Sequence, residues 1–125
     1  MLLDTHVLLW WAARGPRLGP LTTVALARAP GDVVVSALSV WEIGIKSALG
    51  RLTVVGDLEA ELAGTGALDL AFTSAHARAA AALPRLHADP FDRGLVAQAQ
   101  VEGLRLVTAD RAIMAYDVDV LDAST

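Results

Sequence analysis

Short apolar runs alternate with longer helical segments along this chain. The apolar runs are the candidate strands, and they lie at residues 1–3, 33–35, 68–72, 104–108 and 118–121. The second run is three successive valines, and β-branched residues of this kind are typical of a buried strand. Strands separated by helices usually pair in parallel within one sheet. The alternation therefore predicts an α/β fold with a short, mainly parallel central sheet, in which the third run belongs to the core and the last to an edge.

Cap and turn residues divide the intervals between the strands into helices. Asp57, Ser74 and Asp92 are placed to begin helices, and either Ser36 or Ser39 can cap the helix after the second strand. We expect helices through residues 7–11, 20–29, 57–63, 74–84, 92–102 and 110–115, with an extended piece at 52–55. The helix capped by Ser36 or Ser39 is expected to end at residue 49.

The length and composition fit one domain over residues 1–125. Hydrophobic residues make up 54% of the chain, enough to bury a full core. No apolar stretch is long enough to span a membrane, and the first residues lack the basic region of a secretory signal. Cysteine is absent, which excludes a disulfide scaffold and a zinc–thiolate site. We therefore expect a cytoplasmic protein with no membrane segment.

The net charge of −4 bears on the class of partner. A passive nucleic-acid-binding module usually carries a basic surface, so this balance counts against one. It counts less against a nuclease whose acids hold divalent cations, because the metal supplies local positive charge.

Four acids lie where the carboxyl ends of the strands are expected. Asp4 directly follows the first strand, and Glu42 lies in the helix after the second. Asp92 is expected to begin the helix that leads into the fourth strand, and Asp110 follows that strand. In open parallel sheets ligands bind outside these carboxyl ends. A group of carboxylates there is unfavourable unless a cation joins it, and Mg²⁺ or Mn²⁺ is the natural occupant.

Each acid also has a simpler interpretation. Asp4, Asp92 and Asp110 are favoured residues for helix N-caps. Glu42 stands four residues before Lys46, which is the spacing of a surface ion pair on a helix. Capping and metal binding are compatible, and the shared placement at one edge is what favours a metal site.

Four segments carry a resemblance to the VapC-type PIN domains. They are Leu3-Asp4-Thr5-His6-Val7-Leu8-Leu9-Trp10, the run from Val35 to Lys46, the run from His87 to Arg93 followed by Leu95 to Ala99, and Leu106-Val107-Thr108-Ala109-Asp110. All four stand in the family's order, and together they cover essentially the whole chain.

The resemblance implies a three-layer α/β/α sandwich and a Mg²⁺- or Mn²⁺-dependent endoribonuclease, the toxin of a toxin–antitoxin pair. It implies a VapB-like antitoxin, an RNA substrate and a homodimer as partners, with exposed Trp and Leu positions of the early helices as interface. Asp4, Glu42 and Asp92 match the family's three main acids and Asp110 the more variable fourth. In this interpretation they hold one or two metals, and a metal-bound water attacks the RNA phosphodiester.

Supporting roles follow from the same resemblance. Thr5 and Thr108 are expected to form hydrogen bonds to carboxylates or waters, with Ser39 a weaker candidate. Asp89 precedes a proline and is expected at the rim in a structural role. Arg93 is expected to pair with Asp89, the alternative being a contact with phosphate.

Several other residues are left outside the expected site. His6, His76 and His87 share no metal-ligand spacing, although His6 lies beside the proposed acids. The three tryptophans are expected in the core or an interface, although tryptophan can also stack on bases. Gly94 departs from the family, which usually has a larger apolar residue there, and local packing is the point in doubt.

Three other classes of protein also place acids at the ends of strands or share this fold. A receiver-like phosphoacceptor needs adjacent acids after the first strand, but Thr5 and His6 follow Asp4. A haloacid-dehalogenase-like phosphatase needs an aspartate at position 6, where His6 stands. A non-catalytic PIN-like binding or assembly module remains the serious alternative, against which the intact set of acids argues.

Overall fold

The computed structural model describes residues 1–54 and 56–125. The strands are β1 (Leu2–Leu3), β2 (Val34–Ser36), β3 (Leu68–Leu70), β4 (Leu106–Thr108) and β5 (Val120–Asp122). The helices are α1 (Thr5–Ala12), α2 (Pro20–Arg28), α3 (Ala37–Ala48), α4 (Leu58–Ala63), α5 (Ser74–Ala82), α6 (Pro90–Glu102) and α7 (Arg111–Met114), with a 3₁₀ turn at Pro30–Asp32. The extended piece expected at 52–55 includes position 55, which lies outside the described residues.

The five strands form one parallel sheet in the order β3-β2-β1-β4-β5. Leu2 is in register with Val34 on one side and with Leu106 on the other. The carboxyl ends of β1, β2 and β4 therefore meet at one edge, with β1 in the middle. This places the residues after each of these strands close together.

Helices cover both faces of the sheet because the short strands are buried on both sides. Leu2 and Leu3 are fully buried and point to opposite faces. Leu2 packs with Leu95 of α6 and Ile113 of α7, whereas Leu3 packs with residues of α1, α2 and α3. The expected three-layer α/β/α sandwich is thus confirmed. No helix in the described part of the chain is long and apolar enough to cross a membrane.

Two helix N-termini differ from the sequence-based expectations. The helix expected to begin at Asp92 begins at Pro90, and Asp89 caps it by accepting from the N–H groups of Phe91 and Asp92. Proline fits the first position of a helix because its missing N–H would be unpaired there in any case. Thr73, and not Ser74, caps α5.

The third strand was expected in the core of the sheet, and this was wrong. Among the described residues β3 pairs with β2 alone and forms an edge, where Leu68 is 55% exposed. Its apolar composition does not distinguish an edge from a centre, because strand order depends on how the connecting helices cross the sheet.

A buried hydrogen bond ties α6 to the start of α3. The Ser36 hydroxyl caps α3 by accepting from the Leu38 N–H, and it donates to Gln98 Oε1 at 2.5 Å. Ser36 and Gln98 are both fully buried. Gly94, one turn before Gln98, lies against Leu38, and a Cβ there would come within 2.4 Å of that side chain. The glycine that departs from the family thus permits close packing of α6 on α3.

The C-terminal residues pack on the start of α2 at Gly19. The Gly19 N–H donates to the Ala123 carbonyl at 2.9 Å, and the Leu21 N–H donates to the Thr125 carbonyl at 2.8 Å. A Cβ on Gly19 would lie 2.2 Å from the carbonyl carbon of Thr125. No side chain fits there without displacing this backbone.

We predict that Gly19→Ala destabilises the protein by about 1–3 kcal/mol, because the added methyl forces the C-terminal backbone away from α2. Urea denaturation followed by circular dichroism measures the change. Gly31→Ala is the matched control, since a Cβ there meets nothing within 4 Å. Equal stability of the Gly19 variant and the control would contradict the packing described.

Candidate metal centre

Asp4 and Asp110 share the hydroxyl of Thr108. Asp4 is 4% exposed, and its Oδ1 caps α1 by accepting from the Val7 N–H at 2.8 Å. The Thr108 hydroxyl donates to Asp4 Oδ2 at 2.5 Å and accepts from the Asp110 N–H at 3.0 Å. Asp110 in turn caps α7. One buried side chain at the end of β4 therefore positions the acids that follow β1 and β4.

Glu42 is held in the same way from α1. It is 2% exposed, and its Oε1 accepts from the Thr5 hydroxyl at 2.6 Å. The Ser39 hydroxyl lies 3.1 Å from Thr5 Oγ1, so it also belongs to this group. Lys46 donates to Glu42 Oε2 at 2.5 Å, as the spacing of four residues predicted. Thr5 directly follows Asp4, and Glu42 is therefore joined to the Asp4 group through a single peptide unit.

Asp92 lies in the first turn of α6 and contacts His87. The Nε2 atom of His87 is 2.9 Å from Asp92 Oδ2 and 3.9 Å from Asp110 Oδ2. One potential ligand atom of each of the three residues lies within 4.8 Å of the others. Among the described residues this is the group with the spacing of a metal site, and Asp4 and Glu42 are outside it.

The four expected acids thus form linked groups at one edge of the sheet. Thr108 joins Asp4 to Asp110, and His87 joins Asp110 to Asp92. The negative charge of Glu42 acts on Asp92 and that of Asp110 acts on Asp4, in each case raising the pKa of the neighbouring carboxyl. The ligand role of each acid remains a prediction, and the geometry places all four around one region.

His87 was left outside the site by sequence reasoning, and the structure places it inside. No regular ligand spacing marks it, because a loop returns it to the acids. Its N–H donates to the Tyr116 hydroxyl at 2.9 Å, which anchors that loop. Pro90 is the sequence feature that could have indicated this contact. It marks the start of α6, and a turn before a helix brings the preceding residues back beside the first turn of that helix.

Arg93 does not have its expected partner. In the described part of the chain no ion pair joins it to Asp89. Its guanidinium instead donates to the carbonyls of Ala80, Leu83 and Pro84. Arg93 therefore fixes the segment between α5 and α6, and Asp89 has the structural role expected of it.

Three other aromatic and histidine residues named in the sequence differ in their distance from the site. Trp41, expected in the core or an interface, is 61% exposed and meets the Phe91 ring edge-on at 5.3 Å. His6 is exposed beside Asp4. His76 is buried and bonded to Glu102, away from the four acids.

Burial and like charge make the carboxyls of Asp4 and Asp92 reluctant to ionise. Burial raises the pKa of Asp4. Burial, then the neighbouring charge of Asp89, raises the pKa of Asp92 to about 6. The carboxylate oxygens repel one another, and the imidazole of His87 lies beside them. Such a set of ligands suits a hard divalent cation. The residues present therefore fit Mg²⁺ or Mn²⁺.

We predict that the charge of Asp92 lowers the stability of the metal-free protein at neutral pH. The pKa of its carboxyl is higher in the folded than in the unfolded state, so its contribution to stability falls as pH rises from about 4 to 6. Metal-free Asp92→Asn should therefore unfold at a higher temperature than wild type at about pH 7.5, with a smaller difference at about pH 4.5. Mn²⁺ should raise the unfolding temperature of wild type more than that of Asp92→Asn.

Asp69→Asn is the matched control, because Asp69 is exposed on β3. Differential scanning fluorimetry across pH, with and without Mn²⁺, measures all three proteins. An Asp92 variant that follows wild type at both pH values and gains as much from Mn²⁺ would argue against a cation at this carboxylate.

Comparison with known proteins finds one family and a consistent fold. A family model described as PIN domain matches residues 1–119. Ribonuclease VapC22 of Mycobacterium tuberculosis is 32% identical over 124 residues, which cover 93% of this chain and 91% of that protein.

Two solved structures illustrate the fold. VapBC2 from Rickettsia felis, bound to a promoter DNA fragment, has a TM-score of 0.72 at 12% identity over 96% of each chain. A toxin–antitoxin complex from Klebsiella pneumoniae has a TM-score of 0.66 at 19% identity, covering 96% of this chain and 94% of that one. At these identities the likeness concerns the fold.

Proposed function

The chain belongs to the PIN-domain family, and from this premise we propose that it is a metal-dependent endoribonuclease, the toxin of a toxin–antitoxin pair. The observation that carries the proposal is the convergence of Asp4, Glu42, Asp92 and Asp110 from four separate elements on the carboxyl edge of the sheet. Threonine hydroxyls and His87 link these acids to one another.

The four acids are proposed to hold Mg²⁺ or Mn²⁺, with His87 as an additional contact of Asp92 and Asp110. A divalent cation at such a site lowers the pKa of water and offsets the charge of a phosphodiester under attack. Carboxylate oxygens have further lone pairs besides those used by Thr5, Thr108 and the Val7 N–H, so hydrogen bonding leaves them able to bind a cation.

The residues around the acids orient them. Thr108 holds Asp4 by a hydroxyl that is itself fixed by the Asp110 N–H. Thr5 does the same for Glu42. Partners behind metal ligands typically contribute 10- to 100-fold to metal affinity or activity. Thr5 and Thr108 are therefore proposed as positioning residues.

RNA is the proposed substrate, on two grounds. The relative that is 32% identical is a ribonuclease. The chain carries a net charge of −4, so attraction to a polyanion depends on the cation at the acidic edge. This fits a nuclease better than a binding module that has no metal.

A non-catalytic PIN-like module is the alternative. Asp4 and Glu42 are almost fully buried. The pKa of Asp92 is raised by burial first, and then by the charges of Asp89 and Glu42. Burying several carboxylates together is unfavourable without a compensating cation. A module with no metal would gain stability by losing them, which favours the nuclease.

The partners follow from the relatives. Solved structures of the same fold are toxin–antitoxin complexes, and we propose a VapB-like antitoxin and a homodimer for this chain. The early helices offer apolar surface for such contacts, including Leu21, which is 69% exposed. Its place of action would be the cytoplasm, where its RNA substrate lies.

We predict that the purified chain, free of antitoxin, cleaves RNA with Mn²⁺ or Mg²⁺ and stops with EDTA. Asp4→Asn retains a carbonyl oxygen to cap α1 and should fold, yet lose more than about 100-fold in cleavage rate. Thr108→Val should lose about 10- to 100-fold, because Asp4 keeps its charge but not its orientation.

Cleavage of a labelled RNA, with circular dichroism to verify folding, measures these rates. Asp69→Asn serves again as the control with unchanged cleavage. A folded Asp4→Asn protein that cleaves RNA as fast as wild type would contradict the proposed nuclease function.

A further inference from the structure

Lys46 is the single lysine of this chain, and it lies at the acidic edge. The other nine basic residues are arginines. In the described residues, the ion pairs to the four acids come from Lys46 and His87, and no arginine joins them. Lys46 is therefore the permanent positive charge in direct contact with this site.

The Lys46–Glu42 pair has one fixed and one movable partner. The Glu42 side chain is 3% exposed and also bound by Thr5, whereas the Lys46 side chain is 37% exposed. Removing the partner of a buried charge is costly, so this pair contributes more than an ion pair between two exposed side chains. If the ammonium leaves, Glu42 needs another cation.

A lysine side chain at this position can dissociate from Glu42 more readily than an arginine. Lysine is a compact point charge on a flexible stem, whereas the arginine fork binds a carboxylate through two hydrogen bonds. The hydrogen bond to Glu42 is the main cause of the raised pKa of Lys46, and the charges of Asp89 and Asp92 act in the same direction. The ammonium therefore contacts one proposed metal ligand, Glu42, and the charge of a second, Asp92, also acts on it.

We propose that Lys46 is a built-in counter-cation that neutralises Glu42 in the metal-free protein, yields Glu42 to the divalent cation, and then contacts a phosphate of the RNA backbone. The inference rests on the proposed function, since it needs both the metal and the RNA. Binding of the metal and binding of the ammonium to Glu42 are then coupled, and such coupling is reciprocal.

Substitution of Lys46 tests the competition. Lys46→Met removes the competing charge and should raise Mn²⁺ affinity about 5-fold or more, measured by isothermal titration calorimetry. Lys46→Arg keeps the charge with a stronger hold on Glu42, and it should lower that affinity by a similar factor.

Arg105→Met is the matched control. Arg105 pairs with Asp119 at 3.0 Å at the opposite end of the strands, so its loss changes the net charge equally without touching the acids. Mn²⁺ affinity should be unchanged in this variant.

The RNA contact has its own readout in the salt dependence of KM. Each phosphate contact on a single strand contributes about −0.7 to the slope of the logarithm of affinity against the logarithm of salt concentration. Lys46→Met should therefore raise KM and flatten this slope by about 0.7, a change that a purely structural ion pair would not produce.

A third measurement uses the unsubstituted chain, in case Lys46→Met does not fold without metal. Reductive methylation with ¹³C-formaldehyde keeps the positive charge and labels two amines, those of Lys46 and of Met1. Mg²⁺ should shift the Lys46 resonance and leave that of Met1, which lies at the other end of β1 against the Asp32 carbonyl.

The outcomes separate the two hypotheses. Suppose that the wild-type protein binds Mn²⁺ and cleaves RNA, but Mg²⁺ does not shift its Lys46 resonance. If Lys46→Met also leaves the metal affinity and the salt slope unchanged, this inference alone is overturned. A wild-type protein that neither binds Mn²⁺ nor cleaves RNA overturns the proposed function, and the inference with it.

Discussion

Two threonine hydroxyls hold the two most buried carboxylates of this protein. Thr108 donates to Asp4, and Thr5 donates to Glu42. A carboxylate moved out of water is unfavourable unless hydrogen bonds or charges compensate it. The hydroxyls provide part of that compensation, and they also fix the acids relative to β4 and α1. The rest of the site depends on this arrangement, because it leaves negative charge concentrated at one edge of the sheet.

The opposite side of the site depends on a loop that the fold anchors at several points. Arg93 donates to the Ala80 carbonyl in the last turn of α5, to the Leu83 and Pro84 carbonyls after it, and to the Tyr116 hydroxyl. The same hydroxyl accepts from the His87 N–H. His87 is therefore presented to Asp92 and Asp110 by contacts that involve none of the acids. Contacts of this kind orient the residues that line a metal site.

The parts of the structure that were predicted from sequence are those that depend on local chemistry. Apolar runs gave the strands, and the position of Asp4, Glu42 and Asp110 after strands indicated a shared edge. The parts that were missed depend on long-range packing. The edge position of β3 follows from how its helices cross the sheet, and the contact of His87 follows from a loop anchored by Tyr116. Neither leaves a periodic signal in the sequence.

The start of α6 was likewise predicted only in part. Asp89, Pro90 and Asp92 each favour a helix start, and sequence reasoning chose the wrong aspartate. The structure uses Asp89 as the cap, which frees Asp92 from that task and turns its carboxylate toward His87. The correction strengthens the proposed site, since the acid assigned to the metal is no longer needed to begin the helix.

A divalent cation is proposed to occupy the edge where these acids converge, and the most direct test is to locate it. Crystals of the antitoxin-free protein grown with Mn²⁺ and measured near the manganese absorption edge give an anomalous difference map. We predict a peak within about 2.5 Å of carboxylate oxygens from this group, Asp92 among them. Manganese peaks confined to other acidic surface residues, with none at this edge, would contradict the account.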